Sequence, residues 1–256
     1  MRIGKNIVAK TLSRHLRFGF INLTRGALVL LVMVLGSLDA KESQAQFTVT
    51  GGTEVVSQYL WRGYALVDGA TVQPSLNVDW EGTGLTLSLW GSASLSQRDQ
   101  YQGVDEFDLT LNYAVSSGSW GNFDAGLIFY TFPGQGSFTL AEQTSPEFYV
   151  NVAPSLPLSP EVFLAYDVNL GGGLYAAFSA GRSVSVAGQP IDFGVTAGYN
   201  HGQFEADSGM SHVDVSVSTD LALGAASLSP RAVYVRSFEN TSNTGNRVFF
   251  GVGLGL

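Results

Sequence analysis

From residue 47 onward, apolar and polar side chains alternate in short, regular segments. Residues 72–80 set the pattern, with Val72, Pro74, Leu76, Val78 and Trp80 on one face and Thr71, Gln73, Ser75, Asn77 and Asp79 on the other. It returns at 107–115, where Phe107, Leu109, Leu111, Tyr113 and Val115 oppose Asp108, Thr110 and Asn112. It returns again at 213–221, where Val213, Val215, Val217 and Leu221 oppose His212, Asp214, Ser216, Ser218 and Asp220. Successive side chains of a strand point to opposite sides, so a period of two marks a strand with two unlike faces. The same test predicts twelve strands, at 47–60, 70–81, 84–96, 105–116, 121–132, 146–155, 161–170, 173–184, 190–200, 211–222, 226–237 and 246–256. Most are about 10–12 residues long, as a tilted strand needs to cross a bilayer. Strands of globular domains usually run about 5–6 residues.

The connections alternate as well. Short turns at 81–84, 116–119, 156–160, 186–189 and 223–225 are interleaved with longer Gly-, Asn- and Gln-rich stretches at 61–69, 97–104, 133–145, 201–210 and 238–245. Gly171-Gly172-Gly173 is the one tight connection on the long side. Short periplasmic turns and longer outer loops are the asymmetry of an outer-membrane barrel, and an even strand count puts both termini in the periplasm. The predicted fold is all-β: a transmembrane antiparallel up-and-down β-barrel of about twelve strands after an N-terminal signal peptide.

The signal peptide is read from residues 1–45, and 46–256 form one barrel domain. Arg2, Lys5, Lys10, Arg14, Arg17 and Arg25 precede the apolar run 27–35, and Ser43-Gln44-Ala45 places small side chains at the −3 and −1 positions of a cleavage site. The run is too short for a membrane-spanning helix. Asp39-Ala40 offers a second cut. Of the chain's 13 Lys+Arg and 21 Asp+Glu, the first 45 residues hold seven and two; the remainder has six Arg, no Lys, 19 acids and a net charge of −13. Such a surface repels phosphate backbones, which argues against a nucleic-acid partner. With no Cys, disulfides, thiolate chemistry and Cys-held metals are excluded.

Alternation alone does not say which face meets lipid. A soluble barrel would turn its apolar face inward. Charged residues are only 13% of the chain, against about a quarter in soluble domains. Aromatic residues also cluster near strand ends: Tyr59, Trp61, Trp80, Trp120, Phe123, Phe129, Phe148, Tyr199, Tyr234 and Phe238 suit two interfacial girdles. These features turn the apolar face to lipid and the polar face to the lumen.

The expected lumen lining is Glu54, Arg62, Asp79, Asp108, Asp124, Glu147, Asp167, Asp192, Asp214, Asp220, Arg231 and Arg247, with Gln58 beside them. An acidic, water-filled lumen prefers cations; charges that pair across it plug it instead. The functional expectation is a porin passing small polar solutes by passive diffusion, cation-preferring, with no catalytic residues and no cofactor. Its expected partners are outer-membrane lipid and the barrel-assembly machinery that inserts it. One alternative is a non-conducting structural barrel whose loops bind partners. A second is a lipid-acting enzyme built on His212, Asp214 and Ser216. Side chains two residues apart on a strand stand nearly 7 Å apart, too far for a direct relay. Asp99, Asp105 and Glu106 form a loop cluster that is a cation candidate or a solvated acidic patch. No metal motif, P-loop or dinucleotide fingerprint is present.

The most distinctive stretch is Ser57-Gln58-Tyr59-Leu60-Trp61-Arg62-Gly63, followed by Pro74 in the second strand and Gly84-Leu85 through Gly91-Ser92 in the third. Together they resemble the TorF-type porin family, catalogued as bacterial proteins of unknown function. The resemblance covers about 45 residues; Val67-Asp68-Gly69 is a loose match to an Asp-containing segment after Arg-Gly. It implies an outer-membrane location and a pore, and no catalytic residues. Terminal Leu256 departs from the usual terminal aromatic of such barrels. Arg62 is expected to pin the first loop through a bidentate carboxylate contact, with Gly63 permitting the turn. Mass spectrometry of the membrane-extracted protein is expected to find Gln46 at its N-terminus; a chain retaining residues 1–45 would refute the cleaved leader.

Overall fold

A computed structural model describes residues 46–96, 104–116, 118–133, 144–238 and 245–256. The leader and Asp99 lie outside the described residues, as does most of the stretches 97–104, 133–145 and 238–245. The strands are β1 (Phe47–Val56), β2 (Tyr59–Trp61), β3 (Tyr64–Val67), β4 (Thr71–Trp80), β5 (Leu85–Ser94), β6 (Glu106–Ser116), β7 (Gly121–Thr131), β8 (Thr144–Pro154), β9 (Glu161–Asp167), β10 (Leu174–Val186), β11 (Gln189–His201), β12 (Gly209–Ser218), β13 (Leu221–Leu223), β14 (Ala226–Ser237) and β15 (Asn246–Gly255).

Twelve staves close into an antiparallel barrel. Consecutive staves pair from β1 through β4 to β12, then β14 and β15, and β15 returns to β1 with Gly52 opposite Gly255 and Val56 opposite Gly251. The sheet's thirteen strands make twelve staves because β12 and β13 are one stave interrupted at Thr219 and Asp220, both halves pairing with β14. Closure leaves no unpaired edge to face lipid. Two expected strands end early. β1 stops at Val56, not residue 60, because Ser57 binds Phe250 of β15 in both directions: the Ser57 N–H donates to the Phe250 carbonyl at 2.8 Å, and the Phe250 N–H donates to Ser57 Oγ at 2.9 Å. The chain then leaves the wall. β9 stops at Asp167, whose carboxylate caps the tight Gly-rich connection.

The alternation sorts the two faces as predicted. Phe47, Leu76, Phe107, Phe123, Phe148, Phe178, Val215 and Phe250 are outward and exposed. The outward aromatics form two bands. Phe107, Phe129, Phe148, Tyr166, Tyr199 and Tyr234 lie toward the outer strand ends, and Phe47, Trp80, Tyr113, Trp120 and Phe123 toward the inner ends. Tyr59 and Trp61, expected in these girdles, are not there: Tyr59 is buried, and both belong to the hairpin inside the barrel. The apolar cluster inside is small and sits on one wall: Val56, Val233, Val235 and Phe249, with Leu60 against it. Leu111 faces lipid at mid-strand between Leu87 and Leu127. Leu111→Arg is expected to destabilise the folded barrel by about 2–4 kcal/mol, measured by denaturant unfolding in lipid; an unchanged midpoint would overturn the assignment of this face.

Candidate functional site

The stretch expected as the first outer loop folds back into the barrel as the hairpin β2–β3. Its turn, Trp61 to Tyr64, has two central residues with positive φ, Arg62 at 49° and Gly63 at 86°. That is the twist a two-residue hairpin loop requires. For Arg62 the left-handed conformation costs roughly 1–2 kcal/mol. Gly63 is needed on two counts: its φ, and a Cβ there would lie 2.9 Å from the Cβ of His212 on β12. The tip is held by Ser237 of β14, whose Oγ donates to the Gly63 carbonyl at 2.7 Å.

Arg62 makes the central contact. Its Nη1 donates to Glu147 Oε2 at 2.6 Å and its Nη2 to Glu147 Oε1 at 2.7 Å, a bidentate pair. Nη1 also donates to Gln203 Oε1 at 2.7 Å. The guanidinium lies between aromatic faces, 4.5 Å from the Trp61 ring and 4.2 Å from that of Tyr175. Glu147, wholly buried on β8, also accepts from Tyr130 Oη at 3.0 Å and Gln203 Nε2 at 2.7 Å. Four donors therefore fill the sites that a carboxylate offers.

Gln203 is delivered by a strained turn after β11. Gly202, Phe204 and Glu205 all have positive φ (77°, 54° and 60°), and the Asn200 side chain brackets Gln203, accepting from its N–H at 2.9 Å and donating to its carbonyl at 3.3 Å. The Phe204 N–H donates to the Gly171 carbonyl at 2.7 Å, and the Phe204 ring packs edge-on against Trp61. The hairpin base is tied on other walls. Tyr59 Oη donates to Glu106 of β6 at 2.9 Å, and Arg247 of β15 donates to Asp68 at 2.7 Å and Gln58 at 3.1 Å. With contacts on β5, β6, β7, β8, β10, β12, β14 and β15, the hairpin fills the outer half of the lumen.

The expected lumen residues fall into three groups. Arg62 with Glu147, Glu54 with Arg231 (2.5 and 2.8 Å), and Arg247 with Asp68 form ion pairs. Asp79, Asp108, Asp124, Asp192 and Asp214 lie on the inward face at separate heights, Asp79 accepting from Thr86 Oγ1 at 2.6 Å. Asp167 and Asp220 do not line the lumen as expected. Asp167 is sealed, accepting from Ser145 Oγ and from the N–H groups of Asn169, Gly171 and Gly172, which the tight turn aims at its carboxylate. Asp220 is exposed at the inner rim, hydrogen-bonded to Ser229. The two-residue spacing does not keep His212 and Asp214 apart as expected, since both side chains lean together and His212 Nδ1 meets Asp214 Oδ1 at 2.8 Å; the serine triad still does not assemble, because His212 Nε2 meets Tyr175 Oη at 2.8 Å, not Ser216. Asp105 and Glu106 diverge, Asp105 taking the Ser94 N–H at 2.6 Å and Glu106 the Tyr59 hydroxyl. Sequence reading missed Tyr130 and Tyr175, whose inward parity on β7 and β10 was the available signal. It also missed Gln203, for which a loop position gives none.

A closed twelve-stave barrel with an apolar exterior and a polar interior is a transmembrane β-barrel of the outer-membrane type. The chain belongs to the Gcw_chp family, described as bacterial proteins of unknown function, which it matches over residues 40–250. That description agrees with the TorF-type resemblance on unknown function and does not carry the TorF name. Comparison with curated proteins found no match. Among solved structures, the chain is similar to the NanC porin, at 10% identity over 81% of this chain and 98% of that one, with a TM-score of 0.52. It is also similar to LpxR from Salmonella typhimurium, at 11% identity over 81% and 99%, with a TM-score of 0.50. At such identity the likeness is one of fold.

Removing Arg62 leaves Glu147 buried without its counter-charge, a penalty of about 3–5 kcal/mol. It falls on hairpin docking, since the stave-to-stave ladder does not use Arg62. In Arg62→Ala, amide exchange at residues 59–67 is expected to quicken by more than about a hundredfold while β4 to β12 keep their protection. Equal loss of protection throughout would instead make the pair a determinant of the whole barrel.

Proposed function

We propose that this protein is a channel of the bacterial outer membrane that passes small polar solutes, preferring cations, and that the β2–β3 hairpin is its gate. The observation that carries the reading is the charge balance of the lumen. Arg62, Arg231 and Arg247 are each matched to one carboxylate, while Asp79, Asp108, Asp124 and Asp192 have no Arg partner among the described residues. Carboxylates in excess inside a low-dielectric wall attract cations and repel anions. The residues most deeply buried inside, such as Glu147, Gln203, Asn200 and Ser211, belong to the outer half around the hairpin, so conduction on this reading requires the hairpin to move. The leader sequence supports export, lipid contact through the apolar exterior, and insertion by the barrel-assembly machinery.

The filled outer half also favours a second reading, a non-conducting barrel. Planar-bilayer recording with the mature protein under a salt gradient separates the two. Discrete current steps with a cation-selective reversal potential are expected. Deleting residues 58–69 should raise single-channel conductance several-fold, and Asp79→Asn with Asp124→Asn should shift the reversal potential toward zero. A folded, heat-modifiable barrel that stays silent even without the hairpin would leave the non-conducting reading standing.

A further inference from the structure

Below the hairpin, the inner half of the lumen holds a cavity of about 430 Å³ lined by Asn112, Asp124, Tyr149, Asn151, Glu161 and Phe163. These residues come from four adjacent staves, β6 to β9. The Tyr149 ring stacks on Phe163 at 5.5 Å and 28°. It lies flat on the wall over Gly126, where a Cβ would come within 2.6 Å of two of its ring carbons. Its hydroxyl donates to Asn112 Oδ1 at 2.5 Å, which fixes the ring at a second point. Asn151 Nδ2 reaches Asp124 at 3.4 Å, and Asn151 Oδ1 is buried with no hydrogen-bond partner. No Lys or Arg lines the cavity.

We infer that this cavity is a binding site for small organic cations, solutes bearing an ammonium or guanidinium group. The lining offers two carboxylates, Asp124 and Glu161, and a stacked aromatic pair, with the Asn151 amide oxygen buried behind them. A donor-only ligand matches such acceptors, since ammonium and guanidinium groups donate and never accept, and aromatic faces attract cations. A sugar also stacks on aromatic rings, but it brings as many acceptors as donors to a lining that carries two negative charges. The same wall already holds one guanidinium. Phe163 adjoins Tyr175 at 6.3 Å, and the Arg62 guanidinium sits over Tyr175 between that ring and Glu147. The cavity repeats the combination of carboxylate and aromatic face one step lower on the same ladder of rings. The inference deepens the channel reading and rests on it for a lumen that solutes can enter; its chemistry rests on the lining.

The test is calorimetric titration of the folded protein in detergent with methylguanidinium chloride and butylammonium chloride, with glucose and butanol as uncharged controls. Saturable binding of both cations, and neither control, is expected. Phe163→Leu should weaken it about 3- to 5-fold, and Asp124→Asn and Glu161→Gln about 3- to 10-fold each, in variants that keep the heat-modifiable mobility of the parent. Absence of cation binding, or glucose binding as tight, overturns the site. Planar-bilayer currents separate this from the channel reading. A silent protein that binds methylguanidinium through Asp124 keeps the site and loses the channel, whereas a conducting protein that binds no cation keeps the channel and loses the site.

Discussion

A bilayer interior offers no water to a peptide group, so every N–H and C=O that enters it needs a partner in the protein. For strands this means closure, and the pairing of β15 with β1 is the step that achieves it. The other features of the wall follow. The twelve staves must run antiparallel with short inner turns, their outward side chains must be apolar, and the polar half of each alternation must face in. Closure also fixes what the interior has to solve. Its lining is largely polar, with an aliphatic patch around Val56, Val233, Val235 and Phe249 and a set of ring contacts such as Trp61 on Phe204 and Tyr149 on Phe163. Such an interior is filled either by water or by polar groups that satisfy one another.

The two halves of this barrel take different solutions. In the outer half the hairpin brings a charge to a charge. Burying Arg62 and Glu147 costs several kcal/mol for each ion, and their attraction offsets that only when the remaining hydrogen-bonding positions are filled. Here they are: Glu147 accepts from Arg62 twice, from Tyr130 and from Gln203, and Arg62 is stacked on two rings. Net stabilisation from such a pair is modest. What it confers is position, because both ions find their partners where the hairpin docks. The left-handed φ of Arg62 and the strained turn that presents Gln203 fit this view: local strain is accepted where the surrounding contacts determine the geometry.

The barrel itself was legible because its driving pattern is local. Parity along each strand marks lipid and lumen, and β14 and β6 lie within a residue of their expected bounds. The pairing of Arg62 with a carboxylate was legible from chemistry alone, since an Arg beside a glycine turn among acids has few other roles. The direction of the hairpin was not. Reading 47–60 as one continuous strand carried the parity past Ser57 and put Tyr59 and Trp61 on the lipid face. The break there is made by Phe250, nearly two hundred residues away, and no local pattern records it. Asp167 failed for a related reason: its inward parity was right, but the glycine turn beyond it exposes N–H groups that take up the carboxylate.

On the proposed reading, the interior has one mode of recognition at two heights. At the upper one, carboxylate and rings hold a guanidinium that belongs to the chain; at the lower one, they face an open cavity. A tethered cation competes with a free one for the same kind of site, and the tethered one wins by effective concentration while the hairpin is docked. A free cation that reached Glu147 would therefore gain little by displacing Arg62 unless it also contacted groups that the hairpin leaves unused. Those groups are the ones that line the cavity below. The hairpin's own charges are paired, Arg62 with Glu147 and Asp68 with Arg247, while Asp79, Asp124 and Asp192 below it have no Arg partner among the described residues. On the proposed channel reading, any preference among cations arises below the latch, and the latch governs whether they cross.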